Sequence, residues 1–97
     1  MYATITHFHF KHGTYRQAMD LVQEHIVKPM EEAHEVRYWF TLKSGPDQAT
    51  SVVVYHNEQE AEHARARLLE LLHGKIGHLL DRSDVEAHGE VVVHAVD

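Results

Sequence analysis

The chain contains no cysteine, and that single absence removes several chemistries together. Disulfides, thiolate nucleophiles and cysteine-based zinc sites are excluded, and cytoplasmic residence becomes the expectation. Proline occurs twice and glycine five times, too seldom for a collagen-like or low-complexity chain. No apolar run approaches the roughly 20 residues that span a bilayer. The strand pattern starts at once, at Ala3, so neither a membrane segment nor a secretory leader is expected. Basic residues are few and scattered, nine Lys and Arg against fifteen Asp and Glu, for a net charge of −6. A nucleic-acid backbone binder needs a basic stripe, and none is present. Gly-x-Gly-x-x-Gly, P-loop, Gly-x-Ser-x-Gly and His-Glu-x-x-His motifs are all missing. Nucleotide enzymes, α/β-hydrolases and zincin-type proteases therefore have no residues to stand on.

Histidine is what the chain has in plenty. Eleven imidazoles are spread along 97 residues, enough that full protonation would reverse the sign of the net charge. The length fits one domain, residues 1–97. Within it a strand–helix–strand rhythm is read twice: Ala3–Phe10, a helix from Tyr15 and Val36–Lys43, then Ser51–His56, a helix from Glu58 and a last strand near Glu90–Val96. Two such halves predict an α+β domain, with a four-stranded antiparallel sheet and both helices on one face. The other face is left bare. A second copy of the chain is its expected cover, since a chain this short gains much from extra burial.

Local patterns sharpen this reading. In the first strand Thr4, Thr6, Phe8 and Phe10 alternate with Ala3, Ile5, His7 and His9, and the phenylalanines mark the helix-facing side. Thr14 and Gln17 have the spacing of a capping box, and Ala18, Val22 and Ile26 form an apolar helix stripe whose end is marked by Pro29 and the polar stretch Glu31–Glu35. In the second strand Val36, Tyr38, Phe40 and Leu42 alternate with Arg37, Trp39, Thr41 and Lys43; the latter set is expected on the bare face, with His7 and His9. Ser44-Gly45-Pro46-Asp47 is a hairpin turn, and Asn57 a cap for the second helix. That helix carries Ala61, Ala64, Leu68 and Leu72 inward, with Gly74 and Gly77 interrupting its end. Asp81–Asp84 reads as a loop, and Gly89 as a bulge before Val91-Val92-Val93.

The opening Ile5–Tyr15, the Gly45-Pro46-Asp47 hairpin, the valine strand running into an acidic helix and the valine-rich close together resemble the dimeric α+β-barrel proteins. The nearest branch is similar to the antibiotic-biosynthesis-monooxygenase-like family. The resemblance implies a ferredoxin-like βαββαβ monomer that pairs sheet to sheet, with a pocket between sheet and helices of each subunit. It also implies cofactor-free oxidation of an aromatic quinol-type substrate, or haem degradation, as the activities to weigh. The haem-degrading pattern has Asn on strand one, Trp ending strand three and His on the second helical segment. Here those positions fall on Thr6, on or beside Tyr55, and on His73 or His78. Two of three depart, so haem is disfavoured and no cofactor is expected.

For a cofactor-free oxygenase the resemblance points to Tyr55 or His73 as the proton-handling group and Thr6 as its hydrogen-bonding neighbour. The alternative is a non-catalytic dimeric ligand-binding or stress-response module on the same scaffold; a filled core beneath the helices would favour it. His7 and His9, i and i+2 on one strand face, are the candidates for a metal. The expected partners are thus a second copy of the chain and a small aromatic ligand, with no nucleic acid and no membrane.

Overall fold

In the computed structural model, which describes residues 1–95, the chain runs β1 (Tyr2–Phe10), α1 (Tyr15–Val22), a π-helical turn (Gln23–Val27), α2 (Lys28–Glu32), β2 (Tyr38–Gly45), β3 (Gln48–Tyr55), α3 (Glu58–Ile76) and β4 (Leu80–Glu90). The four strands form one antiparallel sheet in the order β2-β3-β1-β4. This is the βαββαβ architecture expected, with the first helix built in three pieces.

One face of the sheet is covered. Phe8 and Phe10 of β1 and Ala49, Val53 and Tyr55 of β3 are buried there under the helices. Ala18, Val22, Ile26 and Met30 come down from the segmented helix, and Ala61, Ala64, Leu72 and Ile76 from α3. The spacings are three and four residues, so each helix presents one apolar stripe. Burying a side chain the size of Ile26 or Met30 contributes about 1.5–3 kcal/mol, and both are fully enclosed.

The segmented helix runs through Pro29 and ends at Glu32, inside the polar stretch expected to end it. The Lys28 N–H reaches back five residues to the Gln23 carbonyl. This wider turn opens the helix just ahead of Pro29, which then sits in the first turn of α2 where its missing amide costs little. At the helix start, Thr14 makes no side-chain cap; its hydroxyl donates to the Lys11 carbonyl at 2.7 Å instead. Asn57 does cap α3, accepting from the Glu60 N–H at 2.8 Å. Gly74 is passed without a break, and the helix ends at Ile76. Gly13, at φ +75°, takes the left-handed conformation that turns β1 into α1, and its N–H donates to Asp47 Oδ1 at 3.0 Å. The hairpin tip is thereby tied to the first turn.

Two strands differ from expectation. The last one is Leu80–Glu90, so Asp81–Asp84 is strand rather than loop, and Val91–Ala95 has no regular structure; Val96 lies outside the described residues. Glu86 and Asp81 are the extra residues where β4 slips against β1, while Gly89 stays in register opposite Ala3. The second correction concerns β2. Ser44 is bulged, so the ladder passes from Gly45–Gln48 to Lys43–Ala49 and sets Thr41 opposite Ser51. A shift of one residue exchanges the faces of a strand. Trp39 and Thr41 therefore face the helices, while Tyr38, Phe40 and Leu42 lie on the open face at 45, 52 and 56% exposure.

Candidate functional site

The register of the three central strands puts three hydroxyl side chains side by side. Thr6 of β1 lies opposite Ser51 of β3, and Ser51 lies opposite Thr41 of β2. All three point under the helices and form the polar floor of a cavity. The Thr41 and Ser51 hydroxyl oxygens are 2.9 Å apart, and the Trp39 indole N–H donates to Thr41 Oγ1 at 3.3 Å. Met19, Val22, Leu68, Leu72 and Ile76 make the roof, and Phe8 and Phe10 close one side. The result is a row of neutral hydrogen-bonding groups beneath an apolar cover.

The cavity is small. Its volume is about 30 Å³, room for two or three water-sized groups, since each takes roughly 10–15 Å³ on this measure. Beside it, at the β2 edge, a cleft of about 270 Å³ lies beneath the π-turn. Tyr15, Gln23, Val27 and Phe40 line that cleft alone, whereas Met19, Val22, Trp39 and Thr41 line both spaces.

Of the residues singled out in the sequence, Thr6 is at the cavity floor. Tyr55 and His73 are not. Tyr55 lies four residues along β3 from Ser51, about 13 Å at strand spacing, and is only 2% exposed in the core. Burial is the main reason its phenol is pushed up from 10.0 to about 12; the Arg65 guanidinium pulls it down and the Glu35 carboxylate adds to the rise. His73 follows Leu72 on α3 and so turns about 100° away from the core stripe; its side chain is exposed, as is that of His78. These groups do not meet in one place.

The residues the sequence reading missed are Ser51, Thr41 and Met19. Plain counting back from the Pro46-Asp47 turn pairs Leu42 with Ser51; the bulge at Ser44, which the sequence does not announce, brings Thr41 there instead.

The open face carries a different set. His7 has Nδ1 2.7 Å from Thr50 Oγ1 and Nε2 2.7 Å from Glu86 Oε2. His9 Nε2 lies 3.7 Å from Asp84 Oδ2, which also faces Arg82 Nε at 3.4 Å. Both His7 ring nitrogens are engaged, and among the described residues no group of three or more His, Asp or Glu side chains is placed to hold a metal ion. At the far end of the covered face, the Tyr2 hydroxyl and His88 Nδ1 are 2.6 Å apart. Among the described residues, no buried side-chain nitrogen or oxygen lacks a hydrogen-bond partner.

A four-stranded antiparallel sheet in this order, with helices on one face, is the ferredoxin-like fold of the dimeric α+β-barrel proteins. Solved structures share it across nearly the whole chain. A protein of unknown function from Nitrosomonas europaea superposes with a TM-score of 0.79 at 19% identity, over 99% of this chain and 93% of its own. An antibiotic-biosynthesis-monooxygenase-like protein from the same organism gives 0.76 at 12% identity, over 96% and 100%. A NIPSNAP domain protein from Burkholderia xenovorans gives 0.70 at 14% identity, over the full length of both. At these identities the likeness is one of fold. No protein-family model matches the chain, and no curated protein matches it significantly. No helix among the described residues is long and apolar enough to cross a membrane.

Proposed function

We propose that the protein is a homodimer that uses a monooxygenase-like scaffold to bind a small hydroxylated aromatic ligand between sheet and helices. The observation that carries this reading is the make-up of the cavity. Hydroxyls and an indole N–H line it, with aromatic and aliphatic side chains around them and no carboxylate, imidazole or amine among the described residues. Such a lining can orient a phenolic oxygen by hydrogen bonds. It offers no group that would take up a proton near neutral pH.

Pairing through the open face is the second part of the proposal. Tyr38, Phe40 and Leu42 leave three large apolar side chains in solvent on a chain of 97 residues. A patch of this kind marks an interaction surface, and a second copy would meet it with the same patch about a two-fold axis.

A cofactor-free oxygenase acting on a quinol is the rival reading. It is supported by the scaffold and by the hydrogen-bond chain Trp39–Thr41–Ser51, which could steady a phenolate that forms on its own. Neither Tyr55 nor His73 lines the cavity, so neither is proposed as its base. Calorimetric titration with 2-naphthol and oxygen uptake with anthrone separate the two. We expect binding that Ser51→Val weakens about tenfold, the loss of roughly one buried hydrogen bond, and oxygen uptake equal to buffer. Uptake well above buffer would establish the oxygenase instead, and a wild-type protein that binds nothing would defeat the ligand site.

A further inference from the structure

The 30 Å³ cavity is too small to hold a ring, and that mismatch leads outward. We propose that the cavity and the cleft beneath the π-turn are two chambers of a single site, with Met19 and Trp39 as the movable wall between them. This rests on the ligand-binding reading above and specifies what the ligand must be.

Three features of the wall support it. Met19 and Trp39, with Val22 and Thr41, belong to the lining of both spaces, so the two spaces share a wall, and these are its two large side chains. Methionine is unbranched and adapts its shape at little cost, which suits a wall that yields. Trp39 is only half-buried, and its one side-chain hydrogen bond, to Thr41, is long at 3.3 Å. A ligand hydroxyl reaching Thr41 would compete for that same oxygen and loosen the indole as it arrives. The gate and the polar floor are thus coupled through a single atom.

The two chambers also divide the ligand. The cleft, at about 270 Å³, is close to the lower bound of ligand-sized sites, roughly 300 Å³. Tyr15 borders it, and Gln23, exposed on the π-turn, stands at its rim. A flat ring fits there. Its hydroxyl would pass the wall to meet Thr41, Ser51 and Thr6, and a second oxygen at the opposite end of the ring would meet the Gln23 amide. The chemical class is therefore a flat mono- or bicyclic aromatic bearing oxygens at both ends. The π-turn belongs to this site as well, because the widened turn carries Gln23 and Val27 to the cleft.

The experiment uses 2,6-dihydroxynaphthalene and 2-naphthol as probes, with Kd from calorimetry. Trp39 is the only tryptophan, so its indole N–H gives a single proton resonance that reports on the wall directly. Three variants divide the site: Val27→Phe fills the outer cleft alone, Ser51→Val alters the inner floor alone, and Gln23→Ala trims an exposed side chain that folding does not need. We expect both probes to shift the indole resonance. Val27→Phe and Ser51→Val should each weaken binding about tenfold, and Gln23→Ala should erase a preference of about fivefold for the dihydroxy probe. Circular dichroism identifies any variant that fails to fold, and Gln23→Ala keeps the test alive if Val27→Phe does.

The failures are distinguishable. If Ser51→Val weakens binding while Val27→Phe and Gln23→Ala leave it unchanged, the inner cavity acts alone and the two-chamber site is wrong. If the outer variants weaken binding but the indole resonance never moves, the wall does not open and the inference falls. If the wild-type protein binds neither probe, the ligand-binding reading itself has failed.

Discussion

The two faces of the sheet are made by the same four strands, yet they solve opposite problems. The covered face buries Phe8, Phe10, Val53 and Tyr55 and sets three hydroxyls in one row, Thr6–Ser51–Thr41, each opposite the next. The open face reverses this arrangement. It exposes Tyr38, Phe40 and Leu42 along β2 and gathers His7, Glu86, His9 and Asp84 toward β4. A single bulge at Ser44 decides which half of β2 goes where. The difference teaches that the most hydrophobic set of a strand need not face its own core, and that when it does not, the surplus points to a partner.

The largest expected effect breaks the covered face. Phe8→Ala should lower the stability of the fold by about 3–5 kcal/mol, as for other buried aromatics, read as a shift in urea midpoint at unchanged slope. The open face should respond differently. Leu42→Asp puts a charge into the proposed pairing surface and should raise the dimer dissociation constant at least a hundredfold, about 2.7 kcal/mol. Monomer melting should hardly move, because Leu42 is already more than half exposed and lines neither the cavity nor the cleft. Sedimentation equilibrium reads this, and a wild-type protein that stays at 11.2 kDa at micromolar concentration would remove the homodimer.

The smallest of the three effects concerns Tyr55. Its phenol is raised from 10.0 to about 12 in the fold, chiefly by burial. The folded state therefore holds the proton more tightly than the unfolded state does. The contribution to stability is complete below pH 10 and is lost as pH rises through about 12, with a total of about 2–3 kcal/mol. Tyr55→Phe should flatten the fall in stability over that window. An unchanged alkaline profile in the variant would show that the phenol is not held in the core.

Much of this arrangement was legible in the residues, and the parts that were not have physical causes. Phe8 and Phe10 announced the covered side of β1 because they alternate with polar partners, and Ala18, Val22 and Ile26 announced the helix stripe. Asn57 was readable as a cap because its side chain has one local donor to satisfy. For β2, alternation separates two sets without saying which is inside. That choice hung on one bulged residue.

Strand β4 was hidden for another reason. From Asp81 to His88 every residue is exposed, so no period-two pattern of burial is written there, and pairing with β1 alone makes the strand. Val91–Val93 carried the stronger strand composition and yet form no strand, with Val92 and Val93 87 and 86% exposed. At the candidate site, Thr6, named from the family resemblance, lies on the cavity floor. His73 lies outside it, because a helix neighbour of a buried leucine points a quarter-turn away from the core.

The widened turn at Gln23–Val27 also sets the rotational phase of everything after it. Each residue in an α-helix advances the side chains by about 100°, so uniform α-helical winding would leave Met30, twelve residues on, about 120° away from Ala18; the wider turn takes up that excess and keeps Met30 in the core. Met30 is fully enclosed, while Glu31 and Glu32 beside it are exposed. The sequence between Val22 and Pro29 is thus under a counting constraint that its chemistry does not reveal. One residue fewer would set nearly the same phase with an ordinary α-helical turn.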